Sequence, residues 1–274
     1  MKVFFKKVCI VSSLVLFVMG VTCVVLSPSS EAAEGALKGK TLRVAIEAAF
    51  APFESATADG GFEGLDIDIL NAIAERLGFD VEISDMAFEG LVGALNSGRA
   101  DFVISGISPT TERKKIIDAS TSYFYPTIAI VSRTESPYPT VESLNGHKVA
   151  VPFGTAYEAR ATSFPGVTVA PINGTTAVLQ ELLSTRVDAA VLDGCQAAEF
   201  LKMYPDKIEF HLLPIEQDIE NSYAILFVKN SEYLKPIDAV LVDMLNDGTV
   251  DKIIEKWLGS EYLVNYKAGL PKSN

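Results

Sequence analysis

Apolar residues along this chain come in short blocks that switch between the repeat of a strand and the repeat of a helix. Lys40–Ile46 (KTLRVAI) and Asp80–Ser84 have the length and character of strands. Between them, Gly64–Gly78 (GLDIDILNAIAERLG) sets Ile69, Leu70, Ile73 and Leu77 at helical spacing, with Gly78 as a natural C-cap. Asp59-Gly60-Gly61 marks a turn, expected as a hairpin tip. Phe88–Ser97 predicts a short helix with Leu91, Val92 and Leu95 on one side. Phe102-Val103-Ile104 predicts a buried strand that stops at Ser105-Gly106-Ile107-Ser108. Ser108 before Pro109 predicts an N-cap with proline at the first helical position, which puts Arg113 in the first turns of a helix. Ser122–Arg133 predicts a strand long enough to leave one domain for another.

The second half repeats the alternation. Strands are expected at Lys148–Val151, Val167–Ala170 and Val187–Leu192, and helices at Ala156–Thr162, Thr176–Thr185 and Ala197–Met203. Glu209–Pro214 is expected to return toward the first domain and Tyr223–Val228 to form a strand inside it. Ser231–Asn246 and Val250–Leu258 predict two closing helices. Such alternation indicates an α/β fold. One stretch also echoes another. Leu91-x3-Leu95-x3-Arg99-Ala100-Asp101-Phe102-Val103-Ile104 parallels Val178-x3-Leu182-x3-Arg186-Val187-Asp188-Ala189-Ala190-Val191. In this register Ser105-Gly106 matches Leu192-Asp193, which suggests two related lobes.

Composition narrows the classes. The 274 residues are 49% hydrophobic and 21% charged, enough for one large or two modest domains. A net charge of −12, with no basic run beyond the N-terminus, argues against nucleic acid. The N-terminus is distinct: Lys2, Lys6 and Lys7 precede an apolar run from Val8 to Leu26, then SPSSEAA. This reads as a signal peptide over residues 1–32, cleaved before Ala33. The apolar run is also long enough for an uncleaved anchor. Lipid attachment at Cys23 is a further alternative, although Gly20-Val21-Thr22 makes a poor lipobox. Each outcome places the domain outside the cytoplasm. Cleavage would leave Cys195 alone, without a disulfide partner, and His147 and His211 have no ligand spacing. Neither a metal nor a cofactor is expected.

The candidate chemistry lies at strand ends. Open α/β sheets bind ligands just beyond the carboxyl ends of their strands. A guanidinium beside a helix start, as at Arg113, suits a carboxylate. The echo places Asp193 at the equivalent strand end, so a cation and an anion could face each other and hold a zwitterion. Nucleophile–His–acid arrangements and cofactor loops are not evident.

Several phrases then add up in order: Glu47-Ala48-Ala49-Phe50-Ala51-Pro52-Phe53-Glu54, Gly64-Leu65-Asp66-Ile67-Asp68-Ile69, and Ser105 through Lys115 (SGISPTTERKK). Gly154-Thr155, Arg186-Val187-Asp188-Ala189, Asp193 and Asp247-Gly248-Thr249-x2-Lys252-Ile253-x2-Lys256-Trp257 follow. Over residues 40–260 this order resembles the polar amino-acid-binding proteins of ABC importers. The resemblance implies a two-lobed periplasmic-binding-protein (Venus-flytrap) fold of type II. Lobe 1 would comprise residues 40–131 plus 222–262, lobe 2 residues 132–221, and residues 263–274 a C-terminal tail. It also implies an amino-acid ligand, a membrane permease partner and a monomer in the periplasm or outside the cell.

The same resemblance implies roles. Arg113 would grip the α-carboxylate, joined by Thr155 from lobe 2. Asp193 would accept from the α-ammonium, helped by the Ser108 hydroxyl and the Ser105 or Gly106 carbonyl. Phe50 and Phe88 would sandwich the side chain, with Glu47 near its tip. Aromatic faces plus an acid suit a long stem with a cationic tip, such as lysine, arginine or ornithine. Glutamine binders of this family often carry an acid here too. Two rivals remain: a cyclohexadienyl dehydratase-like enzyme with Glu47 as its acid, and a soluble partner of a separate membrane sensor.

Overall fold

In the computed structural model, which describes residues 35–214 and 219–270, the strand-like blocks enter two five-stranded sheets and one small one. The leader lies outside the described residues. β1 (Thr41–Ile46) leads into a three-stranded antiparallel sheet of β2 (Ala49–Phe50), β3 (Glu54–Ala56) and β4 (Phe62–Glu63). The expected hairpin tip joins β3 to β4, with Gly60 at a φ of 87°. α1 (Leu65–Leu77) buries Ile69, Leu70, Ile73 and Leu77, and Gly78 caps it in the left-handed region. At its other end Gly64 has a φ of 142°, and a Cβ there would sit 2.0 Å from the Phe53 carbonyl oxygen. Glycine is therefore required at this strand-to-helix junction.

β5 (Asp80–Asp85), α2 (Leu91–Asn96), β6 (Phe102–Val103), α3 (Thr111–Lys114) and β7 (Ile117–Ala119) follow, with a 3-10 turn at Phe88–Gly90 entering α2. The expected cap moves. Thr110, not Ser108, caps α3, and its Oγ1 accepts from the Arg113 backbone N–H at 3.3 Å. The Ser108 carbonyl instead accepts from Arg113 Nη1 at 2.8 Å, so Ser108 and Pro109 stay outside the helix.

β8 (Ile128–Arg133) starts at Ile128 rather than Ser122. Before it, Phe124 makes only an isolated bridge to Tyr223, and Pro126 has no N–H to offer a ladder. β9 (Lys148–Pro152), α4 (Ala156–Thr162), β10 (Thr168–Ile172), α5 (Thr175–Leu183), β11 (Ala189–Asp193), α6 (Gly194–Met203) and β12 (Ile208–Leu212) complete the second sheet and its helices. The run expected to return to the first domain is mostly β12, an edge strand antiparallel to β8. Three of its five side chains, Glu209, Phe210 and His211, are half-buried, which suits an edge. β13 (Leu226–Val228) makes the return and pairs between β6 and β7. α7 (Leu234–Asn246), α8 (Thr249–Leu258) and α9 (Ser260–Gly269) close the chain. Much of the expected tail is α9, whose Tyr266 stacks on Phe124 at 5.0 Å and accepts from the Tyr125 N–H at 3.0 Å. Trp257 packs on the first core and donates to Asp68 at 2.7 Å.

The first sheet runs β5-β1-β6-β13-β7 and the second β10-β9-β11-β8-β12. In each, the central strand is parallel to one neighbour and antiparallel to the other. Apolar clusters cover both faces of the second sheet, which is why β11 reads as the unbroken buried run AAVLD. The chain passes between the sheets twice, before β8 and after β12. This is the two-lobed type II fold, and it turns the carboxyl ends of the parallel strands toward a shared cleft.

Candidate functional site

The cleft walls come from the loops that follow β1, β6, β9, β10 and β11. Glu47, Phe50, Phe88, Gly106, Ser108, Arg113, Thr155 and Asp193 all line it, together with Tyr157, Gly174, Thr175, Gln196 and Tyr223 among others. The empty space between these residues, open mouth included, is about 510 Å³. Of the residues expected from sequence, Ser105 stands behind the wall. Its hydroxyl donates to Glu54 Oε1 at 2.5 Å and accepts from the Glu47 N–H at 2.9 Å.

Arg113 is the cation of the site. Nη1 donates to the Ser108 carbonyl and Nη2 to the Gly154 carbonyl across the cleft, each at 2.8 Å. Its guanidinium lies 5.2 Å from the centre of the Phe88 ring. Phe88 therefore supports the cation as well as lining the cleft. Among the described residues no acidic side chain pairs with Arg113. Burial pulls its pKa down to about 10, so it stays charged at neutral pH. A half-buried guanidinium whose partners among the described residues are two carbonyls and an aromatic face is suited to an incoming carboxylate.

Asp193 is the anion, fully buried at the end of β11 and the N-cap of α6. Oδ1 accepts from the Gln196 N–H at 2.9 Å. Oδ2 lies 2.9 Å from the Tyr223 hydroxyl and 3.1 Å from that of Tyr157, and the two hydroxyls are 2.6 Å apart. Burial raises its pKa to about 6, opposed by these hydrogen bonds, so the carboxylate is largely ionised at neutral pH. Thr155 spends its hydroxyl locally: Oγ1 donates to the Pro152 carbonyl at 2.7 Å and caps α4 by accepting from the Glu158 N–H.

Phe50 stacks on Phe53 at 5.1 Å, and a Cβ on Gly106 would come within 2.4 Å of its ring. The φ of 47° at Gly106 and this close approach together require glycine. Glu47 is pushed up to about 7 by burial first, then by Glu89 and Asp85. Two acids to which the sequence assigns no role support this floor. Asp66 Oδ2 accepts from the Gly106 N–H and the Tyr123 hydroxyl, both at 2.7 Å. Glu54, fully buried, holds Ser105, and burial followed by the charge of Asp66 drives its pKa well above the ordinary range. Cys195 is buried and donates to the Tyr262 hydroxyl at 3.2 Å.

Comparison with known proteins places this geometry. Residues 42–260 match the family model of bacterial extracellular solute-binding proteins, family 3. The chain belongs to that family. It is 31% identical over 225 residues to the arginine-binding extracellular protein ArtP of Bacillus subtilis, covering 81% of this chain and 88% of that protein. It is 30% identical over 254 residues to the L-cystine-binding protein TcyJ of Escherichia coli (strain K12), covering 89% and 95% respectively. Among solved structures, an ancestral arginine-binding protein bound to arginine superposes with a TM-score of 0.74 at 39% identity, covering 81% of this chain and 100% of that one.

For this solute-binding protein, Tyr157, Tyr223, Thr175 and Gln196 are cleft residues that sequence reasoning missed. None stands in a phrase that marks it. Tyr223 comes from the return crossing and reaches Asp193 only because the two sheets face each other. The relatives named here are binding proteins rather than enzymes. Among the described residues no helix is long and apolar enough to cross a membrane.

Proposed function

We propose that this solute-binding protein captures a polar amino acid between its lobes and delivers it to the membrane permease of an ABC importer. The observation that carries the reading is the Arg113 guanidinium, without an acidic partner among the described residues, on one side of the cleft and the buried Asp193 carboxylate in the same cleft. A free amino acid brings one carboxylate and one ammonium at fixed separation, which answers both charges at once. Hydrogen bonds to charged groups contribute about 1.5–3 kcal/mol each, and micromolar affinity requires roughly 8 kcal/mol. A few such contacts offset the cost of closing the lobes and ordering the ligand. The relatives' named ligands, arginine and cystine, are both amino acids.

Glu47 gives the side-chain end of the cleft an acid, which favours a cationic amino acid. We read the protein as a monomer that acts outside the cytoplasm, exported by its N-terminal leader, and that returns its ligand unchanged. Isothermal titration with the twenty amino acids should reveal one or a few binders, and mass spectrometry should recover the bound compound intact. Binding by none of them would overturn the reading.

A further inference from the structure

Gln196 is held in a way that protein contacts alone do not explain. It is 2% exposed and lies in the first turn of α6, directly after Cys195 and three residues after Asp193. Its Nε2 donates to Thr175 Oγ1 at 2.8 Å. Its Oε1 is buried and accepts from no donor among the described residues. An amide carbonyl left unsatisfied inside a protein is costly, and such groups ordinarily have a partner. Thr175 is itself 6% exposed and opens α5, so the pair is fixed between two helices of lobe 2.

The position of this carbonyl along the cleft gives it meaning. Arg113, Thr155 and Ala156 also line a neighbouring hollow at one end, together with Thr110 and Glu220. Gln196 also lines a separate hollow at another end, with Ala49, Ala51 and Ser55 of the small sheet. Arg113 and Gln196 therefore mark different ends of the cleft. An amino acid with its carboxylate on Arg113 and its ammonium on Asp193 would extend its side chain away from Arg113, into the part walled by Glu47, Phe50 and Gln196.

We propose that Gln196 Oε1 accepts a hydrogen bond from an N–H group on the side chain of the bound amino acid, and so selects ligands whose side chains donate. Thr175 is its positioning residue: by taking the Nε2 donor, it leaves the acceptor for the ligand. The ligand class is a guanidinium, ammonium, imidazole or carboxamide side chain. This inference rests on the amino-acid-binding reading above.

The test is isothermal titration of the wild-type protein and Gln196→Met with L-arginine, L-lysine, L-histidine, L-glutamine, L-glutamate and L-methionine. Methionine at 196 keeps the volume and removes the acceptor. The expected result is a loss of about tenfold or more for the donor ligand that binds best, with L-methionine unchanged or tighter. Equal weakening of all ligands would make Gln196 a brace for lobe 2 and overturn the inference. A selective loss of L-glutamate would mean that the amide is turned the other way, with the same consequence. A wild-type protein that binds only amino acids without side-chain N–H groups overturns the inference and leaves the amino-acid reading standing. Binding of no amino acid overturns both. If Gln196→Met does not fold, Gln196→Glu decides: a higher ratio of L-arginine to L-glutamine affinity supports the inference, and an unchanged or lower ratio overturns it.

Discussion

The two lobes use one frame for different chemistry. Asp101, just before β6, accepts from the Arg43 backbone N–H at 2.8 Å, while its own N–H donates to the Arg43 carbonyl at 2.7 Å. Asp188, just before β11, makes the same double contact to Lys148, at 2.8 Å both ways. Each aspartate thus clips its central strand to the parallel neighbour. Beyond the clip the lobes diverge. β6 runs into a turn whose Gly106 N–H and Ser105 hydroxyl are tied to the buried acids Asp66 and Glu54. β11 ends on Asp193 and passes straight into α6. Lobe 1 thereby contributes a cation and aromatic faces, and lobe 2 an anion and an amide. A strand end sets only a position; the next few residues decide what charge appears there.

The largest effects should come from removing either charge. Arg113→Ala and Asp193→Ala should each lower amino-acid affinity by about a hundredfold or more, since truncating one member of a buried charge contact costs 2–5 kcal/mol or more. Titration calorimetry checks this, and unchanged affinity in either variant would sink the site assignment. Next comes the turn that sets lobe 1 apart from lobe 2. Gly106→Ala should cost roughly 1–3 kcal/mol of stability, because its Cβ meets the Phe50 ring at a left-handed φ. Denaturant unfolding reads that loss, and affinity should fall with it as Phe50 shifts.

The pH response probes the acids contributed by each lobe. Glu47 is held near 7 against an ordinary 4.5, and Asp193 near 6 against 3.8. Between those values the folded ligand-free protein keeps protons that the unfolded chain has released. Stability therefore falls as pH rises from about 4 to about 7, and the melting temperature should be higher near pH 5 than near pH 8. A cationic ligand favours the ionised Glu47, so L-arginine binding should strengthen up to about tenfold over the same rise. Glu47→Gln should remove the part of that dependence centred near pH 7 and leave the part near pH 6 that Asp193 carries, and a flat profile in the wild-type protein would count against Glu47 facing a cation. The smallest effect concerns the shared frame. Asp188→Ala should lower the melting temperature by about 2–4 °C, the scale of one typical hydrogen bond in a protein of this size, and Asp101→Ala by at least as much, because Asp101 also accepts from Arg43 Nε and Nη2. A smaller loss for Asp101→Ala than for Asp188→Ala would break this ordering.

Much of this molecule is legible in its sequence. The helix over Gly64–Gly78 is readable because its apolar spacing and its terminal glycines agree. Eight of the nine expected site residues line the cleft because the phrases that carry them sit at strand ends. What is not legible has local causes. Ser108 and Thr110 both offer a capping hydroxyl, and only the turn of Arg113 back onto the Ser108 carbonyl selects Thr110. Glu209–Pro214 carries no mark that separates an edge strand from a crossing. Ser105 has the residue type and position of a wall residue, but Glu54 takes its hydroxyl behind the wall.

Spacing and residue type along the chain suffice for most of the elements, the echo between lobes, the family and the residues that carry opposite charge. Which groups meet is decided only in three dimensions: Tyr223 with Asp193, Glu54 with Asp66 behind Ser105, Gln196 with Thr175. Hydrogen bonds act over about 3 Å, whereas these partners are far apart along the chain, and no local pattern records such meetings.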